Sequence, residues 1–189
     1  MVDYKTFKKG YLNEWVDRSQ AARKAAEELA NKEVGPSLRD LHKNEINQDL
    51  VFVLAGHKVE FKDENEKKAD GDIYFTYEEA VERFGKPDEY GWRLPTKEEL
   101  EALIGKYPFE FNKGGKQGVF DNCLSLPAAG YRGCDGDVDY VGSGGYIWSS
   151  TFDGSDEAWI LLFFNLGEVY MLNYFRCNGF SVRLVRDVK

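Results

Sequence analysis

The sequence predicts an α+β domain with two short helices, long irregular loops and C-terminal antiparallel hairpins, preceded by an N-terminal helix. Three observations carry that reading. Thr76-Tyr77-Glu78-Glu79 and Thr96-Lys97-Glu98-Glu99 each match a capping box, in which a Thr hydroxyl and a Glu carboxylate satisfy free backbone donors reciprocally at the start of a helix. From Trp159 to Leu172 apolar and aromatic residues fill both alternate sets of an extended pattern, interrupted by the turn signal Asn165-Leu166-Gly167. Between Tyr107 and Gly145 glycines recur at irregular intervals, and neither a helical nor a strand period survives them.

Taken in order, residues 11–34 read as a helix. Leu12, Trp15, Ala22, Ala25, Ala26 and Leu29 recur at three- and four-residue spacing, and Gly35-Pro36 stops it. Its thin, alanine-rich stripe suits either packing on the flank of a domain or an oligomerisation arm. Residues 1–48 are therefore set apart as an N-terminal helical extension, and 49–189 as the main domain. Val51–Leu54 and Lys58–Phe61 are strand candidates around Ala55-Gly56, and Ile73-Tyr74-Phe75 is a further strand fragment. The first capped helix presents Ala80, Val81 and Phe84 and ends at Gly85. The second buries Leu100, Leu103 and Ile104 and stops at Gly105. Within the looped region, Leu124–Ala129 reads as a short strand.

A formal net charge of −8 with interspersed Lys and Glu argues against a nucleic-acid partner, whose binders carry a basic face. No apolar run is long enough to span a membrane, and the start MVDYKTFKKGYLNEW has no apolar leader core. The expectation is synthesis in the cytoplasm as a soluble protein. Cys123, Cys134 and Cys177 are odd in number and lack CxxC spacing, which argues against a zinc site or a disulfide framework; Cys123 with Cys134 is the one pairing considered. His42 and His57 sit in no metal-binding spacing. Glu78-Glu79 and Glu98-Glu99 are explained by their caps. Gly142 to Gly145 lack the helix and lysine of a phosphate loop. No cofactor is called for.

The last hairpin poses the functional question. Trp159, Leu161 and Phe163 share one face, and Ile160, Leu162 and Phe164 the other. An antiparallel hairpin ordinarily has one dry face and one wet face, yet the face due to be wet is apolar. Either loop 107–145 folds over it as a second core, or it lies exposed for a partner.

Gly91-Trp92-Arg93-Leu94-Pro95-Thr96 followed by Glu99-Leu100 resembles a large group of bacterial C-type-lectin-like domains. Later residues continue the likeness: Trp148-Ser149-Ser150-Thr151, Ala158, Leu161, Phe163, Val169, Met171, Arg176 and Gly179-x-Ser181-Val182-Arg183-x-Val185. The resemblance covers roughly residues 50–186 and implies a C-type-lectin-like (formylglycine-generating-enzyme-like) fold. One set within the group comprises the variable proteins of diversity-generating retroelements, in which adenine-directed mutation rewrites the codons of the C-terminal segment, here 144–185. The frame quoted above would then leave as ligand-binding slots Phe152, Asp153, Ile160, Leu162, Phe164, Leu166, Glu168, Tyr170, Leu172, Asn173, Tyr174, Phe175, Cys177 and Phe180. Mutating the adenines of AAC or AAT codons reaches all of these types except Glu168.

The resemblance thus implies a non-enzymatic protein that binds a protein or other macromolecular target, with phage- or cell-surface association by an unknown route. The rival readings are an enzyme related to the formylglycine oxidase or dependent on a metal, and a structural oligomer subunit. The oxidase chemistry needs two cysteines close together near the C-terminus, and the nearest in sequence to Cys177 is Cys134. The sugar-binding calcium motifs of animal lectins are absent, and Asp135-Gly136-Asp137-Val138-Asp139 supplies only part of an oxygen shell.

Overall fold

The last strand of the chain lies beside one of the first. The computed structural model describes residues 45–154 and 156–189, and the compact unit among them begins at Ile46. The helix expected at 11–34, with its oligomerisation arm and His42, lies outside the described residues. Strands β1 (Val51–Leu54) and β2 (His57–Phe61) form a hairpin, and β11 (Val185–Val188) pairs antiparallel to β2 with Val185 opposite Phe61. The hairpin turns on Ala55 and Gly56, both at positive φ (47° and 90°), the handedness that matches strand twist in a two-residue loop.

Both helices start as the capping boxes require. In α1 (Tyr77–Phe84) the Glu79 amide donates to Thr76 Oγ1 at 3.3 Å, while Glu79 Oε2 accepts from the Thr76 amide at 2.9 Å. In α2 (Lys97–Lys106) the same pair at Thr96 and Glu99 spans 3.2 and 2.7 Å. Two details of the expected helices are corrected. Val81 is exposed, and Tyr77 takes the inward place, its hydroxyl donating to the Ser150 carbonyl at 2.9 Å. The second helix runs past Gly105 to Lys106, where the Tyr107 amide closes the last turn on Leu103. Of the fragment 73–75 only Phe75 pairs, as a single bridge to Phe180.

Nearly half of the stretch expected to be irregular is strand. Strands β3 (Phe109–Asn112), β4 (Gln117–Phe120) and β5 (Leu124–Pro127) form a three-stranded antiparallel sheet, and β6 (Tyr131–Arg132) pairs with β7 (Val138–Asp139). Each strand is four residues or fewer, too short for a period to stand out among the turn glycines. One glycine is required by its place. A Cβ on Gly130, at φ 69°, would stand 2.0 Å from the Asp139 carbonyl oxygen.

The central sheet has the order β10 (Val169–Phe175), β9 (Glu157–Phe164), β8 (Gly144–Phe152). Its middle strand separates two cores. Leu161 and Phe163 join Phe52, Phe61, Leu100, Leu103, Phe120 and Ile147 on one side. Ile160 and Leu162 join Phe75, Tyr77, Leu94, Tyr146, Trp148, Phe180 and Val182 on the other. A Cβ on Gly145 would sit 2.1 Å from a Phe163 ring carbon, so that glycine lets the ring lie on the backbone of β8. Trp148 is wholly buried and donates its indole N–H to the Phe75 carbonyl at 2.7 Å.

Cys134 and Cys177 form a disulfide, with Cα atoms 5.2 Å apart and 43 positions of separation; Cys123 is free. This corrects both the expectation of no disulfide and the pairing of Cys123 with Cys134. The β6–β7 hairpin brings the two thiols together, because Arg132 and Gly179 exchange backbone hydrogen bonds in both directions. Closing so long a loop restricts the unfolded chain, and a Cys134→Ser variant is expected to lose about 2–4 kcal/mol in urea unfolding.

Candidate functional site

Strand position, rather than alternation, decides which predicted slots reach the surface. Ile160 and Leu162 lie on the middle strand and are 0% and 4% exposed, and Phe180 is 0% exposed. These three slots are corrected to core. The layer that covers them is built from Phe75, Tyr77, Leu94 and Val182, with Tyr131 packed alongside, and only in small part from the 107–145 region. Opposite Leu162 and Ile160 on the same face of the sheet stand Tyr170 and Leu172. They belong to β10, which has a strand on one side only, and there the covering layer runs out. Tyr170 and Leu172 are about two-fifths exposed, at 43% and 41%.

The remaining slots spread along the rim of this sheet. Leu166 is at the tip of the β9–β10 turn, with Glu168 exposed beside it. Asn173 is exposed and donates its side-chain amide to Asp153 Oδ2 at 2.8 Å. Phe175 and Phe152 are exposed, and the Arg176 guanidinium stands 5.0 Å over the Phe152 ring while pairing with Glu78 at 3.0 Å. Phe164 and Tyr174 are half-buried, and Cys177 is held in the disulfide.

Residues that were not singled out complete the surface. Tyr131 stacks on Tyr140 (6.1 Å between centroids) and meets Tyr146 at 4.9 Å and Tyr174 at 6.3 Å. Tyr140 meets Phe164 edge-on at 5.8 Å. Tyr140, Val138 and Val141 are exposed. Eight of the eleven large apolar side chains exposed among the described residues lie in 138–141 and 152–175. Burial, followed by the nearby Tyr174, Tyr131, Tyr140 and Asp139, pushes the Tyr146 hydroxyl well above the ordinary tyrosine range. Tyr131 is raised by burial and then by Tyr174, Asp139, Tyr140 and Asp135, and Tyr170 by desolvation and then by Glu168. Tyrosine rings and carboxylates thus share one surface. The signal for 131–141 was present as four aromatic or β-branched residues, Tyr131, Val138, Tyr140 and Val141, among three acids, but the glycines around them read as loop.

A second polar cluster sits at the junction of β2, α2 and β11. His57 Nε2 lies 3.0 Å from Glu99 Oε1 and 3.4 Å from Asp187 Oδ1. The Arg93 guanidinium bridges both acids, with Nη2 at 2.7 Å from each and Nη1 at 2.9 Å from Glu99 Oε2. Burial alone would raise Glu99. Arg93, the Thr96 amide and His57 outweigh it and hold the carboxyl below the ordinary range. The arginine occupies the centre of this cluster, which ties helix to sheet. A third feature is an open cleft of about 660 Å³ lined by Asn47, Asp49, Asp63, Asn122, Cys123, Ser125 and Arg183, and it contains none of the predicted slots. Burial pushes the Cys123 thiol up, away from the reactive thiolate.

No family model, curated protein or solved structure matches the chain. Within the described residues no helix is long and apolar enough to cross a membrane.

Proposed function

We propose that this is a recognition protein that binds a macromolecular target through the surface of β10 and its flanks, on a C-type-lectin-like scaffold of the retroelement variable type. The observation that carries the reading is the gathering of exposed apolar side chains on 138–141 and 152–175 while the rest of the domain keeps such residues scattered. Tyr and Phe offer contact area at low side-chain entropy, as binding surfaces require. Support for the finer fold comes from the pairing of the last strand with β2, the two capped helices after Phe75 and Pro95, and a central hairpin with large apolar residues on both faces. The recognition slots in this reading are Phe152, Asp153, Phe164, Leu166, Glu168, Tyr170, Leu172, Asn173, Tyr174 and Phe175. Ile160, Leu162 and Phe180 belong to the frame. The disulfide suits a protein that works in an oxidising setting, such as a phage or cell surface.

The decisive test is genomic. A near-copy of the coding segment for 144–185, differing at adenines and adjacent to a reverse transcriptase gene, is expected; its absence sinks the diversified reading. Stability supplies a second check. Tyr170→Ser and Leu172→Ser are each expected to change unfolding free energy by no more than about 0.5 kcal/mol, whereas Leu162→Ser costs roughly 3 kcal/mol or more. Equal losses at all three positions would mean that β10 is core.

A further inference from the structure

Elsewhere on the domain, several aromatic rings lie under cations of the chain itself. Trp92 has Arg186 at 4.5 Å and Lys62 at 5.9 Å from its ring centroid, Trp159 has Lys97 at 3.6 Å, and Tyr74 has Arg132 at 4.9 Å. Among the described residues, no Lys or Arg takes such a place over Tyr131, Tyr140, Phe164, Tyr170 or Tyr174. The sequence gives the reason. Between Arg132 and Arg176 lie 43 residues without a single Lys or Arg, in a chain that has 25 of them. The same stretch has seven carboxylates, almost the whole of the formal −8. Asp135, Asp137 and Asp139 lie in the β6–β7 hairpin, which the disulfide pins beside the end of β10. Asp139 is the cross-strand partner of Tyr131, so their side chains leave the same face. Glu168 stands next to Tyr170.

We propose that this surface holds the Lys or Arg side chains of a basic segment of a partner protein, with the cations over Tyr140, Tyr170 and Tyr174 and facing the carboxylates of the 135–139 turn. The assignment rests on the recognition reading above and names its partner class. A tyrosine face attracts a cation through its quadrupole, and Tyr140, Tyr170 and Tyr174, unlike Phe152 with Arg176 over it, carry no cation of the chain's own among the described residues, which leaves that attraction unspent. Clustered carboxylates add attraction that raises the association rate and weakens with salt. A like-charged partner would meet the carboxylates of the 135–139 turn and Glu168.

The test is calorimetric titration of the full chain at low ionic strength, using an alternating Lys-Ser dodecapeptide and its Glu-Ser counterpart as probes. The lysine peptide is expected to bind and the glutamate peptide not to bind. Tyr140→Ser/Tyr170→Ser is expected to weaken the lysine peptide by about tenfold, and Tyr140→Phe/Tyr170→Phe to preserve it, because ring faces rather than hydroxyls hold the cation. Asp135→Asn/Asp137→Asn/Asp139→Asn is expected to weaken binding by about tenfold and flatten its salt dependence. No lysine-peptide binding, equal binding of both peptides, or binding unchanged in both the Ser and the Asn variants overturns the assignment, the last by reducing it to diffuse attraction to an acidic protein. The two readings fail separately. Peptide preference without an adenine-differing coding copy removes the diversified reading and leaves the cation surface. A coding copy without peptide preference removes the cation surface alone.

Discussion

Replacing Arg183 by leucine is expected to lower the unfolding free energy by roughly 3–5 kcal/mol, the largest loss of any single substitution considered for this chain. Arg183 is 2% exposed. Its Nε donates to Asn65 Oδ1 at 2.8 Å, its Nη1 to the carbonyls of Lys62 and Asp63 at 2.8 and 3.0 Å, and its Nη2 to the Ser125 carbonyl at 2.9 Å. One guanidinium thus gathers the segment after β2, the start of β5 and the extended segment leading to β11. Burial pushes it down to about 10, partly offset by Asp63, Glu64 and Glu66, so it is charged at neutral pH. Leucine fills the space but takes the donor from three part-buried carbonyls and the Asn65 amide oxygen, and a buried group left unsatisfied costs about 1–3 kcal/mol. Arg183→Lys keeps the charge yet places a single ammonium where a planar fork spans four acceptors, and is expected to recover less than half the loss. Urea unfolding of the three proteins checks this. The midpoint should fall with an unchanged slope, and the melting temperature of the leucine variant should drop by roughly 10 °C. A leucine variant as stable as the parent would mean that water satisfies those carbonyls.

How much of this was legible beforehand depended on sequence distance. The two caps were readable because Thr and Glu three residues apart contain the whole device. Arg183 was readable as a fold holder, though its four acceptors, drawn from residues 62–65 and 125, were not. The disulfide was hidden because its partners lie far apart and meet only through the Arg132–Gly179 bridge. The hairpin pattern announced that both faces of 159–164 were apolar, and alternation went no further. Ile160 and Tyr170 share a face, yet one is core and the other surface because β9 is a middle strand and β10 an edge. Strand order is a non-local property, and no periodicity encodes it. The aromatic surface was half legible for the same reason. Its β10 half followed from the hairpin, while Tyr131 and Tyr140 arrive from a hairpin whose two-residue strands leave no period to read.

Substitution of Glu99 by glutamine is expected to cost roughly 3 kcal/mol at neutral pH, and that cost should fade in acid. Glu99 serves two structures at once. It closes the α2 cap by accepting from the Thr96 amide at 2.7 Å, and it takes both Arg93 nitrogens at 2.7 and 2.9 Å. Arg93 in turn reaches Asp187 on β11, so one carboxylate connects the helix start to the sheet edge. Glutamine presents an amide N–H₂ to donors on every side and leaves the partly buried Arg93 guanidinium short of its acceptor. The pH dependence follows from the sign of the shift. The folded state holds the Glu99 carboxyl below its ordinary value of 4.5, so the folded protein binds this proton less readily than the unfolded chain. Its contribution is therefore complete above pH 4.5 and is lost as the pH falls through the folded value. Parent and Glu99→Gln unfolding curves should be farthest apart near neutrality and converge as the medium is acidified below 4.5. Two curves that stay parallel down to low pH would show that the carboxylate's charge plays no part in holding helix to sheet.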